Sequence, residues 1–296
     1  MLTPNRARNR TATRLPRVGT RGAFTAGILL LASCSPNVLV AISPCPPSAS
    51  DCPGLVHRYS FDGVGTTARD SVGAADGTIV GASLSGQGTL ALVGAKGDQA
   101  QYVVLPHRLL RDLHDATFEA WINWAGSSAR DGTRTPWQRI FDFGEGTTGV
   151  EGAQASGSDA RSYLFLTPQT ERRTPTEDLS TRIAYQVPHD PQSVSLETVV
   201  NTSPLPINAD THVGAVVDSR AHRLSLFVNG AIVGSTALTQ NDPLSYVYDI
   251  NDWLGRSQFP ADDGFTGTFL EFRIYSVPLS AAQLQASYAS GPDVTF

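Results

Sequence analysis

Lysine is all but absent from this chain: Lys96 is its single copy among 296 residues. Basic chemistry therefore falls to arginine, whose planar fork suits bidentate contacts with carboxylates and hydroxyl-rich ligands. The six histidines are scattered, with no pair at metal-ligand spacing on a helix, so a histidine metal centre is not indicated. No serine sits in a Gly-x-Ser-x-Gly elbow and no phosphate-cradling loop precedes a helix, which argues against elbow-type nucleophilic catalysis and against nucleotide-dependent activity. No strongly helical stretch occurs until the end of the chain. Cysteine is limited to Cys34, Cys45 and Cys52.

What is present begins with a basic leader. Arg6, Arg8, Arg10, Arg14, Arg17 and Arg21 lie in a segment without an acid, followed by an apolar run from Ala23 to Ala32. The run is too short to cross a bilayer as a helix, yet it has the length of a signal-peptide core. It ends in Leu31-Ala32-Ser33-Cys34, which resembles the lipobox of bacterial lipoproteins. That resemblance implies removal of residues 1–33, lipidation of Cys34 and a protein anchored to a membrane without spanning it. Ser35 after the cysteine resembles the sorting signal of outer-membrane lipoproteins. The alternatives are an ordinary signal peptide cut elsewhere, or a ragged apolar start to a cytosolic chain.

Residues 34–54 are rich in Pro and Ser and suit an extended tether. With Cys34 given to lipid, Cys45 and Cys52 remain, and an exported chain can oxidise them into a small disulfide loop. Metal binding is the rival, but two thiols without a nearby histidine make a poor zinc site. His57, five residues after Cys52, reads as an alternating strand position.

Loss of the six leader arginines takes the formal charge from −5 to −11. So acidic a domain is a poor partner for nucleic acid, and is well placed to hold a cation.

Past the tether, short β-branched or aromatic runs alternate with Gly, Pro, Asn and Asp clusters, which reads as an all-β fold in one domain over 55–291, with a tail at 292–296. The run Leu55 to Phe61 puts Leu55, His57, Tyr59 and Phe61 on one face, and Thr117 to Trp124 does the same for Phe118, Ala120, Ile122 and Trp124. Trp121 and Trp124 then lie on opposite faces, so at least one belongs to the core. Further strands are expected near 101–105, 138–143, 163–166, 182–186 and 211–217, with a long final strand from Phe265 to Tyr275. Asn229-Gly230, between Leu224–Val228 and Ala231–Val233, predicts a two-residue hairpin turn, because both residues tolerate positive φ. Ser280 and Gln283 form a capping-box signature for a short closing helix to about Tyr288, stopped by Gly291-Pro292. Three polar or glycine-rich stretches, 126–136, 144–162 and 167–181, read as rim loops, where specificity usually resides.

The ordered set Leu55–Asp62, Tyr102–Pro106, Thr117–Trp121, Arg139–Gly144, Leu226–Gly230, Trp253–Ser257, Gly267–Tyr275 and Pro278–Ser280 resembles the laminin-G-like, concanavalin A-like jelly-roll domains. The resemblance implies a two-sheet antiparallel β-sandwich with a short C-terminal helix, and ligands on a concave sheet or at the loop rim. It also implies a surface-anchored, non-catalytic module that binds a glycan or adheres to a surface protein. Many members hold calcium near the meeting of the first and last strands, so Ca2+ is the expected cofactor, with Asp62, Asp70 and Glu271 as candidate ligands. Here Leu270 precedes Glu271 where relatives commonly carry Asp-Glu, and Asp62 and Asp70 could instead cap turns.

Enzymes on the same fold are the competitor. They need two carboxylates a few ångströms apart, in many cases from one strand as Glu-x-Asp-x-Glu, and none of the seven glutamates here lie four or five residues apart. A structural lipoprotein that docks another protein is the third reading. The candidate ligand-binding residues are Arg139, Asp142, Trp137 and Arg256. Arg139 and Asp142 belong to an alternating strand, in which Ile140 and Asp142 share one face and Arg139, Phe141 and Phe143 the other. Arg139 and Asp142 read more readily as a buried pair that holds the sandwich together, and Arg256 could bridge to Glu119 or Glu271.

Overall fold

The computed structural model describes residues 54–127, 137–146, 149–154, 162–170, 181–186, 197–239 and 243–293. The leader, the lipidation site Cys34, the tether, the Cys45–Cys52 pair and much of the three rim loops lie outside the described residues.

Two antiparallel sheets form the domain. In the first, the strands run in the order Leu55–Tyr59, Thr266–Tyr275, Ala116–Trp124, Asp210–Asp218, Arg223–Val228 and Ala231–Ala237, with Leu90–Val93 also pairing with the closing strand Thr266–Tyr275. In the second, the order is Thr198–Thr202, Thr181–Gln186, Tyr163–Thr167, Phe141–Gly144, Asn251–Leu254, Tyr102–Leu105, Gly77–Val80 and Thr67–Ala68. Val64–Gly65 and Leu84–Ser85 make a small separate ribbon.

Strand alternation fills the space between the sheets. Phe118, Ile122, Trp124, Phe269, Phe272 and Ile274 of the first sheet share one core with Phe141, Phe143, Leu164, Leu166, Ile183 and Leu254 of the second. Phe118 stacks on Phe141 with centroids 5.3 Å apart, and Phe272 meets Phe143 edge-on at 6.1 Å. Such aromatic pairs add about 0.5–1.5 kcal/mol each beyond the area they bury. Both tryptophans of Ala116–Trp124 are buried, Trp124 in this core and Trp121 on the opposite face against His212 and Arg273.

The Asn229-Gly230 turn has the expected form. Val228 pairs with Ala231, and both turn residues have positive φ, 50° and 74°. The Asn229 side chain also accepts a hydrogen bond from the His212 backbone N–H at 3.0 Å. The closing helix spans Ala281–Ser290, and Ser280 and Gln283 complete both arms of its capping box.

Two facial assignments need correction. A bulge between Leu55 and His57 interrupts pairing with the closing strand, so Leu55 leaves the face of Tyr59 and Phe61 and joins Tyr275, Leu279 and Leu284 in a separate cluster. At Ile140 the chain bends before the strand Phe141–Gly144 begins. Ile140 therefore packs in the core with Phe141 and Phe143, while Arg139 swings round to the side of Asp142.

Candidate functional site

The outward face of the eight-stranded sheet carries an unusual density of arginine and aromatic side chains. Register places Phe165 beside Asp142, and Asp142 beside Trp253. Arg139 lies over Phe165 with its guanidinium carbon 4.0 Å from the ring centre, and reaches Trp137 at 5.6 Å and Phe259 at 5.8 Å. Arg182 covers Trp137 at 5.0 Å. Each contact adds a cation–π attraction that strengthens as water is excluded.

Beneath these rings, Arg139 Nε donates to Asp142 Oδ2 at 3.0 Å and Arg139 Nη2 reaches Asp262 Oδ2 at 3.0 Å. Asp142 also accepts from the Gln258 backbone N–H at 3.0 Å. Burial pushes the Asp142 carboxyl up to about 6, against the pull of Arg139 and Gln258. Arg139 and Asp142 are 2% and 0% exposed, so the pair ties the 255–264 loop to the sheet from within. Trp137, half-buried beside them, keeps part of its ring at the surface.

Arg256 occupies a cleft at the edge of this face. Gly255, in the left-handed region at φ 82°, sits where a Cβ would approach Leu92 Cδ1 to 2.6 Å, and so turns the chain tightly out of the strand Asn251–Leu254. The Arg256 guanidinium then lies 4.4 Å from the ring centres of both Tyr102 and Trp253. The cleft contains about 350 Å³ of empty space continuous with solvent, lined by Lys96, Gln101, Tyr102, Gln154, Arg256 and Asp262 among others. Asp262 joins the two halves of the site, because it lines the cleft and binds Arg139.

Arg256 does not bridge to Glu119 or Glu271. Those acids belong to the other sheet, in a buried network near the closing helix. His212 Nε2 lies 3.0 Å from Glu119, Arg273 contacts both acids, Arg58 grips Glu271 at 2.8 and 2.9 Å, and Arg273 Nη1 donates to Ser287 of the helix at 3.2 Å.

The residues named for calcium are not brought together. Asp70 accepts from the backbone N–H groups of Arg58, Val72, Gly73 and Ala75 and is 2.7 Å from His57 Nδ1. Burial alone would raise its carboxyl, but His57 and these N–H groups outweigh it and bring the group down to about 2. Glu271 is occupied by Arg58, Arg273 and the Asp293 N–H, and Asp62 is exposed. Among the described residues, no three His, Cys, Asp or Glu side chains are grouped to hold a metal, so this set does not fit calcium.

Sequence reasoning missed the cleft partners Lys96, Gln101, Tyr102, Gln154 and Asp262, which are distant in the chain and carry no shared motif. It also missed Asp249 and Asp252, a buried pair that accepts the Leu110 and Leu109 N–H groups at 2.7 and 3.1 Å. Burial raises both carboxyls, Asp249 to about 6, and proximity of the two acids raises Asp252 further.

A family model described as the concanavalin A-like lectin/glucanases superfamily, Laminin_G_3, matches residues 96–285. The chain belongs to that superfamily. No curated protein matches it. Among solved structures, domain 4 of AbnA, a GH43 extracellular arabinanase from Geobacillus stearothermophilus in complex with arabinotriose, is similar at 17% identity and TM-score 0.53, with 80% of this chain and 98% of that one covered. A Trypanosoma rangeli sialidase in complex with sialic acid is similar at 15% identity and TM-score 0.55, over 82% of this chain and 36% of the sialidase. The binding domain of botulinum neurotoxin DC with rat synaptotagmin II gives 13% and 0.53, over 80% and 52%. This member of the superfamily thus spans about a third of the sialidase and half of the toxin domain. At such identities the likeness is one of fold, a fold that binding modules and glycoside hydrolases share.

Proposed function

We propose that this protein is a non-catalytic carbohydrate-binding module, held outside the cytoplasm by a lipid on Cys34. The observation that carries the reading is the make-up of the Arg256 cleft. Tyrosine, arginine and two glutamines line it, and its acid, Asp262, is already engaged by Arg139 and by Ser257 Oγ at 2.7 Å. A sugar offers an apolar ring face and a rim of hydroxyls, and an aromatic wall with a few directional polar groups meets both.

Glycoside hydrolysis asks for two carboxylates facing each other across the substrate, about 5–9.5 Å apart. The described lining of the cleft supplies one, and it is paired. The arabinanase domain, solved with arabinotriose, agrees with an oligosaccharide as the kind of ligand this fold accepts. The anchored half of the proposal rests on the arginine-rich leader and the Leu31-Ala32-Ser33-Cys34 sequence.

A glycan array probed with the purified protein tests the binding half: signal on a defined class of glycan is expected, and a blank array from folded protein overturns it. Labelling with a radioactive fatty acid in a bacterial host tests the anchor. Incorporation that disappears in Cys34→Ala is expected, and an unlabelled wild-type protein overturns it.

A further inference from the structure

In and around the cleft, every charged group with a described side chain is paired except one. Lys96 Nζ lies 2.5 Å from Asp263 and donates to the Ala261 carbonyl at 2.6 Å. Asp262 is held by Arg139 and Ser257. Arg256 has no acid partner among the described residues, and the one polar side chain set against it there is the hydroxyl of Tyr102. Its contacts are the rings of Tyr102 and Trp253.

An arginine in that position is costly for the fold alone. Burial pulls its guanidinium down from the ordinary arginine range, because the charge has lost part of its water and gained no carboxylate in return. The two rings hold the guanidinium in one orientation before a ligand arrives, and the Tyr102 hydroxyl, a single neutral partner, leaves most of its five N–H donors unspent. A planar fork with unspent donors in a half-buried site is matched best by a carboxylate, which accepts two parallel N–H···O bonds.

The geometry points to an acidic polysaccharide, one whose sugar rings carry carboxylates, as the ligand of this cleft, with Arg256 as the residue that takes the carboxylate. The inference rests on the carbohydrate-binding reading and narrows its ligand. The surroundings exclude recognition by charge density. The chain is acidic overall, at −5 and more so without its leader arginines, and the cations beside Arg256 are already neutralised, Arg139 by Asp262 and Lys96 by Asp263, so a dense polyanion such as nucleic acid or a sulfated glycan finds no basic track to follow. One carboxylate per binding register is what a single free fork selects.

Affinity gel electrophoresis of the full protein separates the outcomes. The gels contain polygalacturonate, the same polymer fully methyl-esterified, neutral arabinan or dextran sulfate, each in about 0.15 M salt, where long-range charge effects are screened beyond roughly 8 Å, and with a chelator to prevent calcium gelling. Retardation by polygalacturonate is expected, with loss on esterification and weaker retardation by dextran sulfate. Arg256→Gln is expected to weaken binding to polygalacturonate by about tenfold or more, the scale of a charge-assisted bidentate contact. Arg256→Lys, which keeps the charge and loses the fork, falls between. Thermal unfolding of both variants confirms that they fold.

Equal retardation by the esterified polymer, equal or stronger retardation by dextran sulfate, or full binding by folded Arg256→Gln overturns the acidic-sugar inference. Retardation by arabinan alone overturns it too, and leaves the carbohydrate-binding reading standing. No retardation in any gel, together with a blank array, defeats both.

Discussion

Arg139 and Asp142 face each other at 3.0 Å across the bend at Ile140, and both are buried on the outward side of the eight-stranded sheet. That geometry needs a break in strand alternation, since residues three apart in a regular strand point to opposite faces. The bend sends Ile140 into the core and frees Arg139 to bind Asp142 and Asp262 together. Through Asp262 the pair fixes one wall of the Arg256 cleft, so the same residues hold the fold and shape the site.

Removal of Arg139 leaves the buried Asp142 and the partly buried Asp262 without their cation. Arg139→Ala is expected to cost about 3–5 kcal/mol of stability, measured by urea unfolding. Asp142→Asn should cost less, because the amide oxygen still accepts from Gln258 and the buried negative charge disappears. A smaller loss for Arg139→Ala than for Asp142→Asn would contradict this ordering.

The Asp249–Asp252 pair gives the fold a pH signature. The Asp249 carboxyl stands at about 6 in the fold, above its ordinary value of 3.8, so the folded state binds a proton that the unfolded chain releases. Stability from this proton is complete below about pH 4, declines as pH rises towards 6, and is gone above that. In Asp249→Asn the amide accepts from Leu110 and offers an N–H to Asp252 without a titration. The variant should be more stable than wild type at pH 7–8, by about 1 kcal/mol or more, with a flatter profile between pH 4 and 6. Identical pH profiles would refute the account of this pair.

At the hairpin, an added Cβ on Gly230 would come within 3.0 Å of Gln285 Cα and Tyr288 Cβ, at a φ of 74°. Gly230→Ala combines backbone strain with contact against the closing helix, and should cost at least about 1–2 kcal/mol. Asn229→Gly, which keeps the turn and loses only the bond to His212, should cost about 1 kcal/mol or less. Calorimetric melting of the two variants reads the difference.

Two arginines provide a contrast between structure and binding. Arg273 is wholly buried and touches Glu119 and Glu271, so Arg273→Ala should destabilise by about 3–5 kcal/mol. Arg256 has no ion pair to lose, and Arg256→Gln should change stability by less than about 1 kcal/mol. Equal destabilisation of the two would show that Arg256 serves the fold.

Local signals carried most of the architecture. The Asn229-Gly230 turn, the Ser280 cap and the alternation in Thr117–Trp124 depend on neighbours in sequence, and each stands in the structure as read. Strands Gly77–Val80, Leu90–Val93, Thr198–Thr202 and Asn251–Leu254 were not assigned, because they draw their stability from pairing with distant strands. The bulge at Leu55 and the bend at Ile140 escaped for the same reason, since alternation assumes an unbroken ladder. Of the residues named from the sequence, Arg256 lines the cleft, and Trp137, Arg139 and Asp142 lie beside it on the same sheet face, but their partners Asp262 and Tyr102 were not legible. Asp262 and Tyr102 lie 123 and 37 residues away from Arg139 in the chain, and only the folded loop brings them to one cleft.

The central claim is that the outward face of the eight-stranded sheet binds a carbohydrate and does not cleave it. The most direct test incubates the protein with polygalacturonate and arabinan, and follows complex formation and reducing-end release in the same samples. The account predicts a retarded complex, weakened in Arg256→Gln, with no new reducing ends over many hours. Release of reducing ends, or folded protein that forms no complex with either polymer, would contradict it.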